Sequence, residues 1–107
     1  MRYSPDYHVD LEKRYPKVAK SFDQLAAECS QAGPLGKKTQ HLIKLGVAIG
    51  AGIEGDIQNL ATRALEDGAT PDEVKHAVIL SLTTAGYPAM IVAMQLVEDS
   101  LSGYKPK

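Results

Sequence analysis

The sequence predicts an all-α, single-domain fold of five helices, on three observations. Apolar residues recur at three- and four-residue steps in five successive stretches, the spacing of a helix with one buried face. No stretch keeps a period-two alternation long enough for a strand. Breaks rich in glycine and proline separate the stretches at helix-length intervals.

Residues 1–15, MRYSPDYHVDLEKRY, are polar and Tyr-rich, with Pro5, and read as an N-terminal arm ahead of a helical domain over 16–107. From Pro16 to Gln31, Val18, Phe22, Leu25, Ala26 and Cys29 form one apolar stripe, with proline tolerated in the first turn. AGPLGKK, Ala32–Lys38, breaks this helix. A second runs from about Lys37 to Gly52 and a third over about Glu54–Asp67, with Ile57, Leu60, Ala61, Ala64 and Leu65 inward. Gly68 stops it in the usual C-terminal position. In TPDE, Thr70 is an N-cap, Pro71 opens the helix and Glu73 completes a capping box. That helix is expected to reach about Ala85, and after GYP at Gly86–Pro88 a last helix runs to about Ser102.

Composition narrows the function classes. The 107 residues carry 12 Lys plus Arg against 13 Asp plus Glu, scattered along the chain. Neither nucleic acid nor an anionic membrane is favoured by such a field. The apolar runs around Leu45–Ile53 and Pro88–Val97 fall short of the roughly 20 residues of a membrane span. The opening segment lacks the apolar stretch of a secretory signal, so a cytoplasmic location is expected. Cys29 is the single cysteine, leaving no internal disulfide or thiolate metal cluster.

Two helices are apolar nearly all round: Leu42–Ile49 in the second, and Ala89–Val97 in the last. A small domain with one Phe and no Trp hides one face of each helix and seldom every face. The surplus predicts self-association, with these two helices at the interface.

The order of long apolar helix, glycine break, amphipathic helix, RALEDGATPDEV, further helix, AGYPA and last helix resembles the carboxymuconolactone decarboxylase and alkylhydroperoxidase D-like superfamily. The residues carrying the resemblance run from Lys37 to Leu101, including an AL-x-x-GAT-x-x-E run and a G-x-P-A start to the last helix. The resemblance implies an alkylhydroperoxidase D-like helical bundle, a trimer or hexamer, and oxidoreductase or decarboxylase chemistry.

In the alkylhydroperoxidase-like branch, a Glu on the long helix precedes a Cys-x-x-Cys, and a His follows one turn later. The two cysteines share a helix face at a helix N-terminus, where the dipole favours thiolate. On this chain the Glu position is His41, the cysteine positions are Ile53 and Asp56, and the His position is Leu60. Without thiols at Ile53 and Asp56 there is neither nucleophile nor resolving partner. The decarboxylase branch resembles this frame with an acid at the Asp56 position, a His at the Leu60 position and an Arg near Gln40 or His41. Only Asp56 matches.

Fold alone does not assign chemistry, so each residue has two readings. Asp56 is a candidate acid, or a first-turn carboxylate that meets free N–H groups and the helix dipole; Glu54 reads as the latter. His41 is a candidate proton shuttle, or a His packed near a helix start. Together they form a candidate acid–base pair expected to share a small cleft lined by Ile53, Leu60 and Tyr87. His76 reads as an exposed partner of Asp72 four residues earlier, and His8 as a polar arm residue. Cys29 is a small hydrophobe on its stripe or a single peroxidatic thiol. No metal or cofactor is expected, because no three ligands converge in the pattern.

Three functions follow: a non-peroxidase oligomer with a binding or structural role, a lyase or isomerase on a small carboxylated metabolite through His41 and Asp56, and a peroxidase through Cys29. A filled apolar gap between the second and third helices favours the first.

Overall fold

Caps and breaks set each helix boundary in the computed structural model, which describes residues 5–105, and side chains from Val9 onward. Seven helical segments follow in order: α1 (Pro5–Arg14), α2 (Pro16–Gln31), α3 (Lys37–Ala51), α4 (Glu54–Glu66), α5 (Pro71–Leu80), α6 (Leu82–Ala85) and α7 (Tyr87–Gly103). The all-α class is as the sequence predicts, with no strand among the described residues.

Two differences raise the number of segments. The arm is helical from Pro5 to Arg14: Lys13 and Arg14 suit the C-terminal end of α1, and Arg14 pairs with Asp10 one turn back at 3.4 Å. The helix expected through Ala85 divides at buried Ser81, whose hydroxyl donates to the Val78 carbonyl at 2.6 Å. The Ser81 N–H also bonds to Val78 at 3.0 Å, tightening the turn and separating α5 from α6.

The α3–α4 hairpin turns on Gly52, whose φ of 74° is left-handed and costs glycine nothing. The N–H of Ile53 reaches back to the Ala48 carbonyl at 3.0 Å, the six-to-one bond of a Schellman end. The same device closes α4, where Ala69 bonds back to Ala64 at 2.9 Å across Gly68.

Thr70 and Glu73 form the expected capping box, with Glu73 N–H to Thr70 Oγ1 at 3.1 Å and Thr70 N–H to Glu73 Oε1 at 2.9 Å. Lys38 donates to the other Glu73 oxygen at 3.2 Å, tying the start of α3 to the start of α5. The Thr70 backbone N–H, and then Lys38, hold the Glu73 carboxyl below its ordinary value of 4.5. A lowered folded-state pKa means that the folded state gives up its proton more readily. Its contribution is therefore complete above the ordinary value and is lost as pH falls through the lowered one. The gap in urea midpoint between the native chain and Glu73→Gln is expected to be widest near neutrality and to close on acidification below the ordinary carboxylate range. A gap that widened on acidification would contradict this. Thr70→Ala is expected to cost about 1 kcal/mol.

The core lies among α3, α4, α5 and α7. Leu45 and Ile49 of α3 meet Ile57, Leu60, Ala61 and Ala64 of α4, with Val74, Val78, Met90, Ala93 and Val97 closing the cluster. The alanines of α4 let its backbone approach α3 closely. One face of α7, Met90, Ala93 and Val97, is covered by this chain's own α4 and α5, while Val92 is exposed and Ile91, Met94 and Leu96 are half-buried.

A further apolar surplus lies on α2. Val18, Phe22 and Leu25, expected in the core, are 58%, 61% and 61% exposed, and Cys29 is exposed too. Ala19 is the one buried residue of α2. α2 packs on α1, and side-chain bonds join it to the bundle at its C-terminal end, where Gln40 donates to the Ser30 carbonyl at 2.9 Å and Lys37 to the Ser30 hydroxyl at 2.9 Å. The radius of gyration is 14.5 Å, against ~13 Å for a compact chain of this length.

Candidate functional site

The α3–α4 hairpin carries the positions singled out by sequence. Ile53 is the N-cap of α4 and is exposed; Asp56 lies half-buried in the first turn beside Asn59, whose amide is 3.4 Å from Asp56 Oδ1. Glu54 and Asp56 are the acids of that turn, aligned with the helix dipole. Leu60 is buried in the core, and Tyr87 is exposed in the first turn of α7. These three residues were expected to line one cleft. They stand in three different environments, and none of them lines either groove described below.

His41 finds a different partner from the one expected. Its Nδ1 is 2.7 Å from Asp67 Oδ2, at the C-terminal end of α4. The oxygen lies off the direction of the ring N–H, so Nδ1, which is shielded from solvent, has a close electrostatic neighbour and no aligned hydrogen bond. Because α3 and α4 run antiparallel, the start of α3 meets the end of α4. Asp56 sits eleven residues before Asp67, roughly 16 Å along the helix axis. Within the chain His41 and Asp56 therefore occupy opposite ends of the hairpin and form no acid–base pair.

Between α3 and α4 the packing is apolar. Leu45, Ala48, Ile49, Ile57, Leu60 and Ala61 close the gap with apolar side chains. The open space lies on the other side of α3. A groove of about 720 Å³ runs between α3, α5 and α6, floored by Leu42, Gly46, Gly50 and Ala77. Ile43, Val47 and Leu80 form its apolar sides, with Thr39, Glu73, His76 and Thr84 at its edges. The sequence reading missed it, although Gly46 and Gly50, one turn apart in a helix, were a visible signal. A smaller pocket of about 220 Å³ lies between the end of α2 and α3, lined by Cys29, Ser30, Leu35, Gln40 and Lys44 among others.

Among the described residues no three His, Cys, Asp or Glu side chains converge as a metal site would require. No helix among them is long and apolar enough to cross a membrane. The expectation for His8 lies outside the described side chains.

An antiparallel hairpin, a capped helix laid beside it and a last helix that packs one apolar face on both define a small helical-bundle class. The family model described as the carboxymuconolactone decarboxylase family matches residues 16–99, and the chain belongs to that family. No curated protein and no solved structure matches the chain.

Proposed function

We propose that this chain is a cytoplasmic, homo-oligomeric family member without peroxidase activity, whose role is binding or structural. One observation carries the reading. The gap between α3 and α4, beside which thiol members of the family work, is packed with apolar side chains, and Ile53 and Asp56 stand at the dithiol positions. The pocket of about 220 Å³ beside Gln40 and Lys44 is the residual cleft for a small metabolite. The acid–base alternative needs His41 and Asp56 at one reacting centre. His41 is engaged by Asp67 instead, and neither residue lines a groove.

The test is peroxide consumption with a dithiol reductant, comparing the native chain with Cys29→Ser. Both are expected to match the protein-free rate. Turnover lost in Cys29→Ser would favour the single-cysteine peroxidase, whereas turnover that survives it would overturn the proposal through chemistry independent of thiols.

A further inference from the structure

We propose that the groove between α3, α5 and α6 is the seat of the α2 helix of a second copy of this chain. The inference rests on the homo-oligomer reading above and goes beyond it by naming the two surfaces that meet.

Surface area gives the first argument. The chain exposes 7644 Å², whereas a compact monomer of 11.5 kDa exposes ~5,800 Å² by the usual scaling. The excess, ~1,800 Å², exceeds the ~800 Å² per partner of a standard stable interface.

Where the excess lies gives the second. α2 presents Val18, Phe22, Leu25 and Cys29 to solvent at helical spacing, the anchor pattern of a helix that docks in a groove. A 16-residue helix on its own is marginal in water, and its ordering here leaves the apolar stripe wet. The groove is apolar to match: Val47 is 63% exposed and Leu80 60%. Val18 to Cys29 spans eleven residue steps, and so does Thr39 to Gly50 along the groove, each about 16 Å.

The glycines give the third. Gly46 and Gly50 are interior to α3, where each costs up to ~1 kcal/mol relative to alanine. A Cβ at either would meet nothing within 4 Å in this chain. Packing within the chain therefore does not require glycine at these positions. A helix laid against them from outside does, because bare backbone lets the two axes approach closely. The chain's own α2 is not the occupant, since its C-terminal end is held at the start of α3 by the Ser30, Lys37 and Gln40 bonds, and its stripe remains outside the groove. Each copy carries one stripe and one groove, so reciprocal or cyclic exchange covers both in a closed assembly.

The experiment compares native protein, Phe22→Glu and Gly46→Leu by light scattering across micromolar concentrations, with far-UV circular dichroism on the same samples. Both substitutions fall on surface that is open in the single chain, so each is expected to keep its helicity. The native chain should exceed 11.5 kDa, and each variant should self-associate about thirty-fold or more weakly, the size of a hot-spot loss. A second measurement does not depend on the variants' stability: Cys29 is paired by mild oxidation with Thr39→Cys or, separately, Thr84→Cys, at opposite ends of the groove. One of the two should trap a covalent dimer that the native chain does not form. Native protein that is itself monomeric would sink both the oligomer reading and this one. Native protein that is oligomeric, with both variants equally assembled and neither cysteine pair trapped, would overturn only the α2–groove contact.

Discussion

Leu45→Ala is expected to lower the free energy of unfolding by about 2–5 kcal/mol, the range for emptying a fully packed leucine site. Leu45 is fully buried on α3, in the cluster shared by α4, α5 and α7. Its neighbours belong to several helices that pack against one another, so the cavity cannot close by moving a single side chain. Domains of this kind hold only about 5–15 kcal/mol in total, so the loss is a large share of the fold's stability. Urea unfolding should show a lower midpoint with an unchanged slope. Val47→Ala, two residues on along the same helix but at the open groove, is the control. Below the assembly concentration it should change stability by less than about 0.5 kcal/mol. Equal losses at the two positions would mean that the core is not where the α3–α4 packing puts it.

The second large effect is a gain of chemistry. With Cys29→Ser as background, Ile53→Cys combined with Asp56→Cys is expected to create a reversible disulfide. Ile53 caps α4, and the Asp56 N–H bonds to the Ile53 carbonyl at 3.1 Å, closing one turn that brings the two positions together. A single turn brings Cα atoms into the range of roughly 4.4–6.8 Å that a disulfide spans. The helix start favours thiolate. Peroxide should oxidise the pair to the disulfide, releasing water and an alcohol (or a second water), and consume about one equivalent per chain without added reductant. Thiol titration before and after oxidation reads the outcome: thiols that persist after oxidation would show that the turn holds the positions apart.

Efficient turnover should not follow, because proton transfer has no carrier there. Leu60 is buried in the core one turn further on, and His41 is held by Asp67 at the far end of the hairpin. Rapid catalysis by the dithiol variant would place the missing relay elsewhere and overturn this account.

Much of the fold was legible where local chemistry dominates. Gly52, Gly68 and the Thr70–Glu73 box mark boundaries because they satisfy backbone groups within one turn of themselves, and all three stand where the sequence places them. The break at Ser81 was less legible, since a serine can bond back to its own helix without any neighbouring signal. α1 was missed because its polar run lacks a clear apolar stripe. The candidate site was legible in part. The absence of thiols is read directly, but the partner of His41 is a residue at the end of another helix, brought close by the antiparallel hairpin.

The sequence by itself determined the helical class, the principal caps, the loss of the dithiol and the presence of more apolar surface than a small bundle can hide. Periodicity and capping are local, and they depend on residues within about one turn. Tertiary structure alone decided which apolar faces are spent inside the chain. It buried one face of α7, packed apolar side chains between α3 and α4, and left the stripe of α2 and the groove beside α3 exposed. The reason is geometric. A helical stripe specifies that a face will be covered, but the cover depends on how all the helices pack, and an apolar side chain reads the same in sequence whether its neighbour lies in its own chain or in another copy.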